Sequence, residues 1–221
     1  MLKIADLYSL NESLAGEYLS GFEYPWQALA GISDLICTLG NNLPADEYDN
    51  VDENVWIAKD AIVFPSAYIK GPCIIGHRTE VRHCAFIRGS ALVGDDCVVG
   101  NSTELKNVIL FNHVQVPHYN YVGDSILGYY SHMGAGSITS NVKSDKKNII
   151  VRQGDEKIET GRKKIGAMLG DYVEVGCGSI LNPGSIIGRR CLIHPLSSVR
   201  GTVPSDSIHK DNGQIIHRED R

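Results

Sequence analysis

No CxxC pair occurs in this chain, although it holds six cysteines: Cys37, Cys73, Cys84, Cys97, Cys177 and Cys191. Neither a zinc ribbon nor a dithiol redox motif is signalled, and the thiols read as reduced, packed side chains of a cytoplasmic protein. Positive charge is not in excess either. A net charge of -5 gives no general attraction to nucleic acid or to an anionic membrane, so any anionic ligand requires a local basic cluster. The opening residues, MLKIADLYSLNESLAGEYLS, contain no long apolar run and no small-residue cleavage site. Neither a signal peptide nor a transmembrane span is expected from them. At 221 residues the chain has room for one large domain, or one domain with an appendage.

What the sequence does contain is a repeat of six. Stepping by six from Ile57 gives Val63, Ile69, Ile75, Val81, Ile87, Val93, Val99, Leu105 and Phe111. The series resumes as Leu169, Val175, Leu181, Ile187, Ile193 and Val199. Four residues after each stands a mostly small one, such as Ala61, Ala67, Cys73, Thr79, Ala85, Ala91 and Cys97. A period of six fits no α-helix. It fits the hexapeptide type of parallel β-helix, in which three hexads close one triangular coil. The aliphatic residue points into the prism and the small one fits near a tight corner, which gives Cys73, Cys97 and Cys191 a packing role. The expected class is therefore all-β, with a short α-helical N-terminal segment and a protruding hairpin.

The chain divides accordingly. Residues 1–50 form a helical cap and linker, in which Asn11 caps a short helix through Leu19 and a second helix runs from Pro25 to Gly40. Trp26 and Trp56 would pack these helices onto the open end of the prism, whose strand edges need a cap. Residues 51–205 form the β-helix. Within them 141–164 is an excursion, and NIIVRQGDEKIETGRKK reads as a hairpin around Gln153-Gly154-Asp155. Residues 206–221 form a tail or a short added strand.

Residues eighteen apart stack one above another, about one strand spacing (~4.8 Å) away. Lys70, Arg88 and Lys106 are so spaced and share one outward column. Stacked cations repel unless an anion such as a phosphate sits against them. The beat then slips in VPHYNYVGDSILGYYSHMGAGSITSN, where the inward positions become Val116, Val122, Leu127 and Met133. That lapse would re-aim His118 and Tyr121, while Gly134-Ala135-Gly136 would let a ligand or second chain approach closely. A histidine at such a corner is a candidate general base.

This block, followed by KSDKKN, resembles the acetyltransferase half of the bifunctional glucosamine-1-phosphate acetyltransferase/UDP-N-acetylglucosamine pyrophosphorylases. NIIVRQGDEKIETGRKKIGAMLGD is similar to the archaeal-type sugar-1-phosphate nucleotidylyltransferases, and YPWQALAGISDLICTL resembles the segment joining their two domains. No Gly-rich nucleotide loop precedes the coils, so nucleotidyl transfer is not expected. The resemblance implies a left-handed parallel β-helix, a homotrimer with sites between neighbouring prisms, acetyl-CoA as donor and an amino-sugar 1-phosphate as acceptor, with no metal. It implies His118 as the base. Arg88 and Lys106 would hold the phosphate, Tyr121, Asn141 and Lys147 would serve the acceptor side, and Ala135 would contribute backbone to the donor groove. His132 stands where the family has Asn, and Val142 where bacterial members have Tyr, which bears on sugar specificity. Cys177 and Pro195 replace small residues that approach the cofactor.

Two other functions fit parts of the pattern. His77, His113 and His118 resemble the metal triad of γ-class carbonic anhydrases. A non-catalytic sugar-nucleotide or partner-binding hexapeptide protein would keep the same coils.

Overall fold

Each hexad has one apolar anchor to bury, and stacking coils bury those anchors in a continuous column. Ile75, Val81, Ile87, Val93, Val99 and Leu105 are fully buried, as are Cys73, Thr79, Ala91 and Thr103 in the small-residue positions. The computed structural model describes residues 1–218. They form an all-β left-handed parallel β-helix with short N-terminal helices and a hairpin, the class expected from the repeat with the handedness that the resemblance implies.

Three faces make up each coil. The first includes Val55–Ala58, Cys73–Ile75 and Ala91–Val93, with Ile57 over Ile75 over Val93. The second includes Glu80–Val81, Val98–Asn101, Gln115–His118, His132–Met133 and Glu174–Val175. The third includes Tyr68–Ile69, Phe86–Ile87, Ile138–Thr139 and Ile180–Leu181. Two longer strands, Glu104–Leu110 and Tyr121–Leu127, run through the corner from the third face to the first and join those faces in one sheet.

Those two strands relocate the lapse in the beat. The residues in register with Val93 on the first face are Leu110 and Leu127, so the chain loses one residue between Leu105 and Leu110 and another between Val122 and Leu127. Asn107 and Asp124 turn these shortened corners in left-handed backbone, with φ of 55° and 50°. The step from Val116 to Val122, which contains His118, is a regular six. Phe111 is not an inward anchor. It takes the place of Gly76 and Gly94, one residue after the anchor, and its ring stacks on Tyr8 with centroids 5.2 Å apart.

The N-terminal segment lies along the side of the prism, not on its open end. The outward residues of the first face are apolar (Ile74, Leu92, Ile109, Ile126, Met168 and Ile186), and all are fully buried. A column of that kind has to be covered, and residues 1–40 cover it. The helix Ile32–Gly40 packs on the strands holding Ile74, Leu92 and Ile109, with Trp56 against Gly40. Trp26 stacks on Tyr24. The backbone N–H of Asn112 donates to the Glu12 carbonyl and that of Asp171 to the Leu7 carbonyl. Of the expected first helix, from Asn11 to Leu19, only the part from Gly16 on is α-helical (Gly16–Ser20); Leu10–Glu12 is a 3-10 turn, and a separate short helix, Ile4–Leu7, precedes it. Gly16 packs so closely on Leu10 that a Cβ there would lie 2.1 Å from its carbonyl oxygen, and Asn11 bonds Glu12 instead of capping. The second begins as a 3-10 helix, Pro25–Gly31, before the α-helix.

The hairpin pairs Ile150–Gln153 with Glu156–Glu159, and Ile149 and Val151 at its base are buried. At the far end Ser207–His209 adds a parallel rung and Ile215–His217 folds back on it. The last residues of the expected tail, 219–221, lie outside the described residues.

The Leu92→Ala variant tests the covered face. It should lose about 2–5 kcal/mol of stability by cavity formation. Tyr68→Ala, at an outward position of the third face that is 60% exposed, should stay within about 0.5 kcal/mol. Urea unfolding of both variants reads the contrast.

Candidate active site

One corner of the prism stacks four of the expected site residues in a single column. Gly136 N–H donates to the His118 carbonyl at 3.0 Å, Gly178 N–H to that of Ala135 at 2.8 Å, and Leu196 N–H to that of Cys177 at 2.9 Å. His118, Ala135, Cys177 and Pro195 therefore follow one another rung by rung at the corner between the second and third faces. The flanking glycines have different causes. A Cβ on Gly134 would meet the Cys177 backbone nitrogen at 2.7 Å, so coil stacking requires that glycine, whereas a Cβ on Gly136 would meet nothing within 4 Å. The corner is open to solvent above Gly136, and Tyr119 and Leu196 stand exposed on either side of the glycines. The His118 ring is exposed and has no hydrogen-bond partner among the described residues. The Ala135 N–H also has none.

A second group sits on the third face and its far corner, beginning directly across from His118. Arg88 and Lys106 stack there as the spacing requires, but they are not bare cations. Arg88 Nη1 donates to Glu104 Oε1 at 2.8 Å, and this bond raises the guanidinium pKa further. Lys106 Nζ lies 3.1 Å from Asp124 Oδ1. Each cation is held by a neighbouring carboxylate as well as being available to an anion, while Lys70 is exposed further down the column. Tyr121 Oη accepts from Asn141 Nδ2 at 3.1 Å. Burial, with the charges of Asp124 and Glu104, raises the Tyr121 pKa, so the phenol keeps its proton at neutral pH.

The remaining expected residues lie apart. Lys147 is exposed in the segment after Asn141, and only its backbone is tied, to Asp145. His132 belongs to the second face, where its Nδ1 lies 2.9 Å from Glu174 Oε2. The three histidines of the metal reading do not converge within one chain. His77 is engaged by Asp60 and Glu47, and His113 stacks on Tyr130 at 4.3 Å. Both lie at the corner between the first and second faces, the width of the second face from His118. Among the described residues no group of three or more His, Cys, Asp or Glu could hold a metal ion.

Glu104, Asn107 and Asp124 belong to this cluster and were not singled out from the sequence. The available signal was the spacing of seventeen across Asn107, Asp124 and Asn141, the step of a coil shortened by one residue.

A family model described as the GMPPB C-terminal domain matches residues 69–183, more than half of the chain. The chain belongs to this family. Among relatives of this GMPPB C-terminal-domain member, the bifunctional protein GlmU of Methanococcus maripaludis is 32% identical over 199 residues, 86% of this chain and 48% of that protein. A bifunctional sugar-1-phosphate nucleotidylyltransferase/acetyltransferase of Sulfurisphaera tokodaii is 31% identical over 163 residues, 71% of this chain and 41% of that protein. The chain thus spans about half the length of the curated relatives it matches. A solved structure of a hexapeptide transferase family protein from Anaplasma phagocytophilum aligns at a TM-score of 0.44 and 17% identity, over 76% of this chain and 81% of that chain.

The coil geometry of this family member separates its thiols. Cys84 and Cys177 are exposed, and Cys73, Cys97 and Cys191 are buried. Burial pushes the Cys97 thiol up to about 12 and the Cys191 thiol up to about 11. In the native protein, iodoacetamide should alkylate Cys84 and Cys177 at least roughly tenfold faster than those three, as read by peptide mass spectrometry over time.

Proposed function

We propose that this protein is an acetyl-CoA-dependent N-acetyltransferase acting on an amino-sugar 1-phosphate, glucosamine 1-phosphate foremost, in the making of UDP-N-acetylglucosamine-type nucleotide sugars. The observation that carries the reading is the column of His118, Ala135, Cys177 and Pro195, which ends beside the Arg88–Glu104–Lys106–Tyr121–Asn141 cluster. An extended thioester laid along the open corner would bring its carbonyl next to His118. A sugar on the third face would bring its amine there from the other side. The printed names of the relatives, bifunctional sugar-1-phosphate nucleotidylyltransferase/acetyltransferase among them, support the same class.

In the proposed step, neutral His118 takes a proton from the acceptor amine as the nitrogen attacks the thioester carbonyl. The unpartnered Ala135 N–H is available to the oxyanion of the tetrahedral intermediate. Collapse breaks the carbon–sulfur bond, and the CoA thiolate takes up the proton held on the imidazolium. The products are an N-acetyl sugar phosphate and CoA. Arg88 and Lys106 hold the acceptor phosphate, with Lys147 approaching from the neighbouring loop. A homotrimer in the cytoplasm, with the open corner lined by an adjacent prism, completes the proposal.

Release of CoA from acetyl-CoA in the presence of glucosamine 1-phosphate tests it. His118→Ala should lower kcat by roughly 10²–10⁴-fold, with little change in KM. A folded protein that turns over no amino-sugar phosphate contradicts the catalytic reading and leaves a binding protein on the same coils.

A further inference from the structure

The carboxylate of Asp124 is almost fully buried, at 3% exposure, yet three side chains converge on it. Lys106 Nζ reaches it at 3.1 Å, Asn107 Nδ2 at 2.9 Å and Asn141 Nδ2 at 2.6 Å. It stands at the shortened corner, reached by Lys106 and Asn107 from the coil before and by Asn141 from the coil after. Paired with the Lys106 ammonium, it is a group that only accepts hydrogen bonds.

That polarity dictates how its amide neighbours must face. Asn141 has two N–H donors and one carbonyl. Its Nδ2 donates both to Asp124 Oδ2 and to Tyr121 Oη, so both N–H groups are spent inside the protein. Its Oδ1 makes no hydrogen bond among the described residues and is not enclosed, which leaves the carbonyl as the open atom of the amide. Because Tyr121 Oη already accepts from Asn141, the phenol proton is free to be donated outward. Side by side, the site offers one acceptor and one donor, with the Arg88 and Lys106 cations beyond. Asn107 is held by the same logic, donating to Asp124 and to the Leu29 carbonyl at 3.3 Å, which ties the N-terminal segment to the back of the cluster.

We propose that Asp124 is a positioning residue that sets the hydrogen-bond polarity of the acceptor site, by locking Asn141 with its carbonyl toward the ligand. The site then requires a hydroxyl or amine donor on the sugar at Asn141 and turns anionic oxygens away toward Arg88 and Lys106. The proposal rests on the acetyltransferase reading for the identity of the sugar, but not for the orientation of the amide.

Asp124→Asn is nearly isosteric and replaces an obligate acceptor by a group that can donate. Asn141 is then free to turn over and present N–H outward. The KM for glucosamine 1-phosphate should rise roughly 10–100-fold, the cost of a mispaired polar group, while the KM for acetyl-CoA and the melting temperature change little. The exchange Asp124→Asn with Asn141→Asp restores an outward acceptor and should recover most of the lost affinity, which a purely structural role for Asp124 would not do. A second readout needs no turnover. The side-chain amide protons of Asn141, identified in 1H–15N spectra by their loss in Asn141→Asp, should be protected from solvent exchange in the wild type and exchange freely in Asp124→Asn. Protected protons in a protein that neither binds nor acetylates amino-sugar phosphates would overturn the acetyltransferase reading and leave the locked amide standing. Freely exchanging protons in the wild type, or an unchanged acceptor KM in Asp124→Asn, would overturn this proposal.

Discussion

The stacking of one coil on the next, hydrogen bond by hydrogen bond, governs every other feature of this protein. A parallel ladder holds each residue about one strand spacing (~4.8 Å) above its predecessor, so chemistry written once per coil becomes a column in space. On the first face the column is apolar and recruits residues 1–40 as its cover. On the second and third faces it is left open, and its polar residues line up. At the corner between the first and second faces it produces a continuous ladder, in which Arg78 pairs with Asp96 at 2.7 Å and the rings of His113, Tyr130 and Tyr172 lie nearly parallel.

Departures from that regularity are what make a site. Losing a single residue at a corner, twice, carries two strands through the turn and sets Asp124 between Lys106 and Asn107 of one coil and Asn141 of the next. A buried carboxylate results, which is costly unless paired. Lys106 supplies the charge, and two amides supply the remaining hydrogen bonds. The consequence reaches the surface, because partners committed to Asp124 cannot also serve a ligand with the same atoms. The site's outward polarity is the remainder left after its inward bonds are satisfied.

Much of this was legible in the sequence. The period of six identified the fold, because the large residue of each hexad has only the prism interior to enter. Stacking arithmetic placed Arg88 above Lys70 and Lys106 above Arg88. Two things were not legible. The lapse was assigned to the corner at His118, because Phe111 is apolar and falls on the beat; only the register shows that Leu110 is the anchor and that Phe111 points out to Tyr8. The carboxylates beside the cation column were the second, because spacing within one column says nothing about neighbours in the next. Glu104 pairs with Arg88, and Asp124 with Lys106, from adjacent positions. The side-on course of the N-terminal segment had a signal in the spacing of Trp56, Ile74 and Leu92, eighteen residues apart, which marks an apolar column on the outside of a coil.

The central functional claim is that the corner running from His118 to Pro195 is the donor groove, and Cys177 lies within it as an exposed thiol. Alkylation rates of Cys177 and Cys84, measured with and without saturating CoA, test this directly, since Cys84 is also exposed but lies on a coil nearer the start of the prism. The account predicts that CoA slows labelling of Cys177 by roughly tenfold or more while Cys84 is unaffected. Equal labelling of Cys177 in the presence and absence of CoA would contradict it.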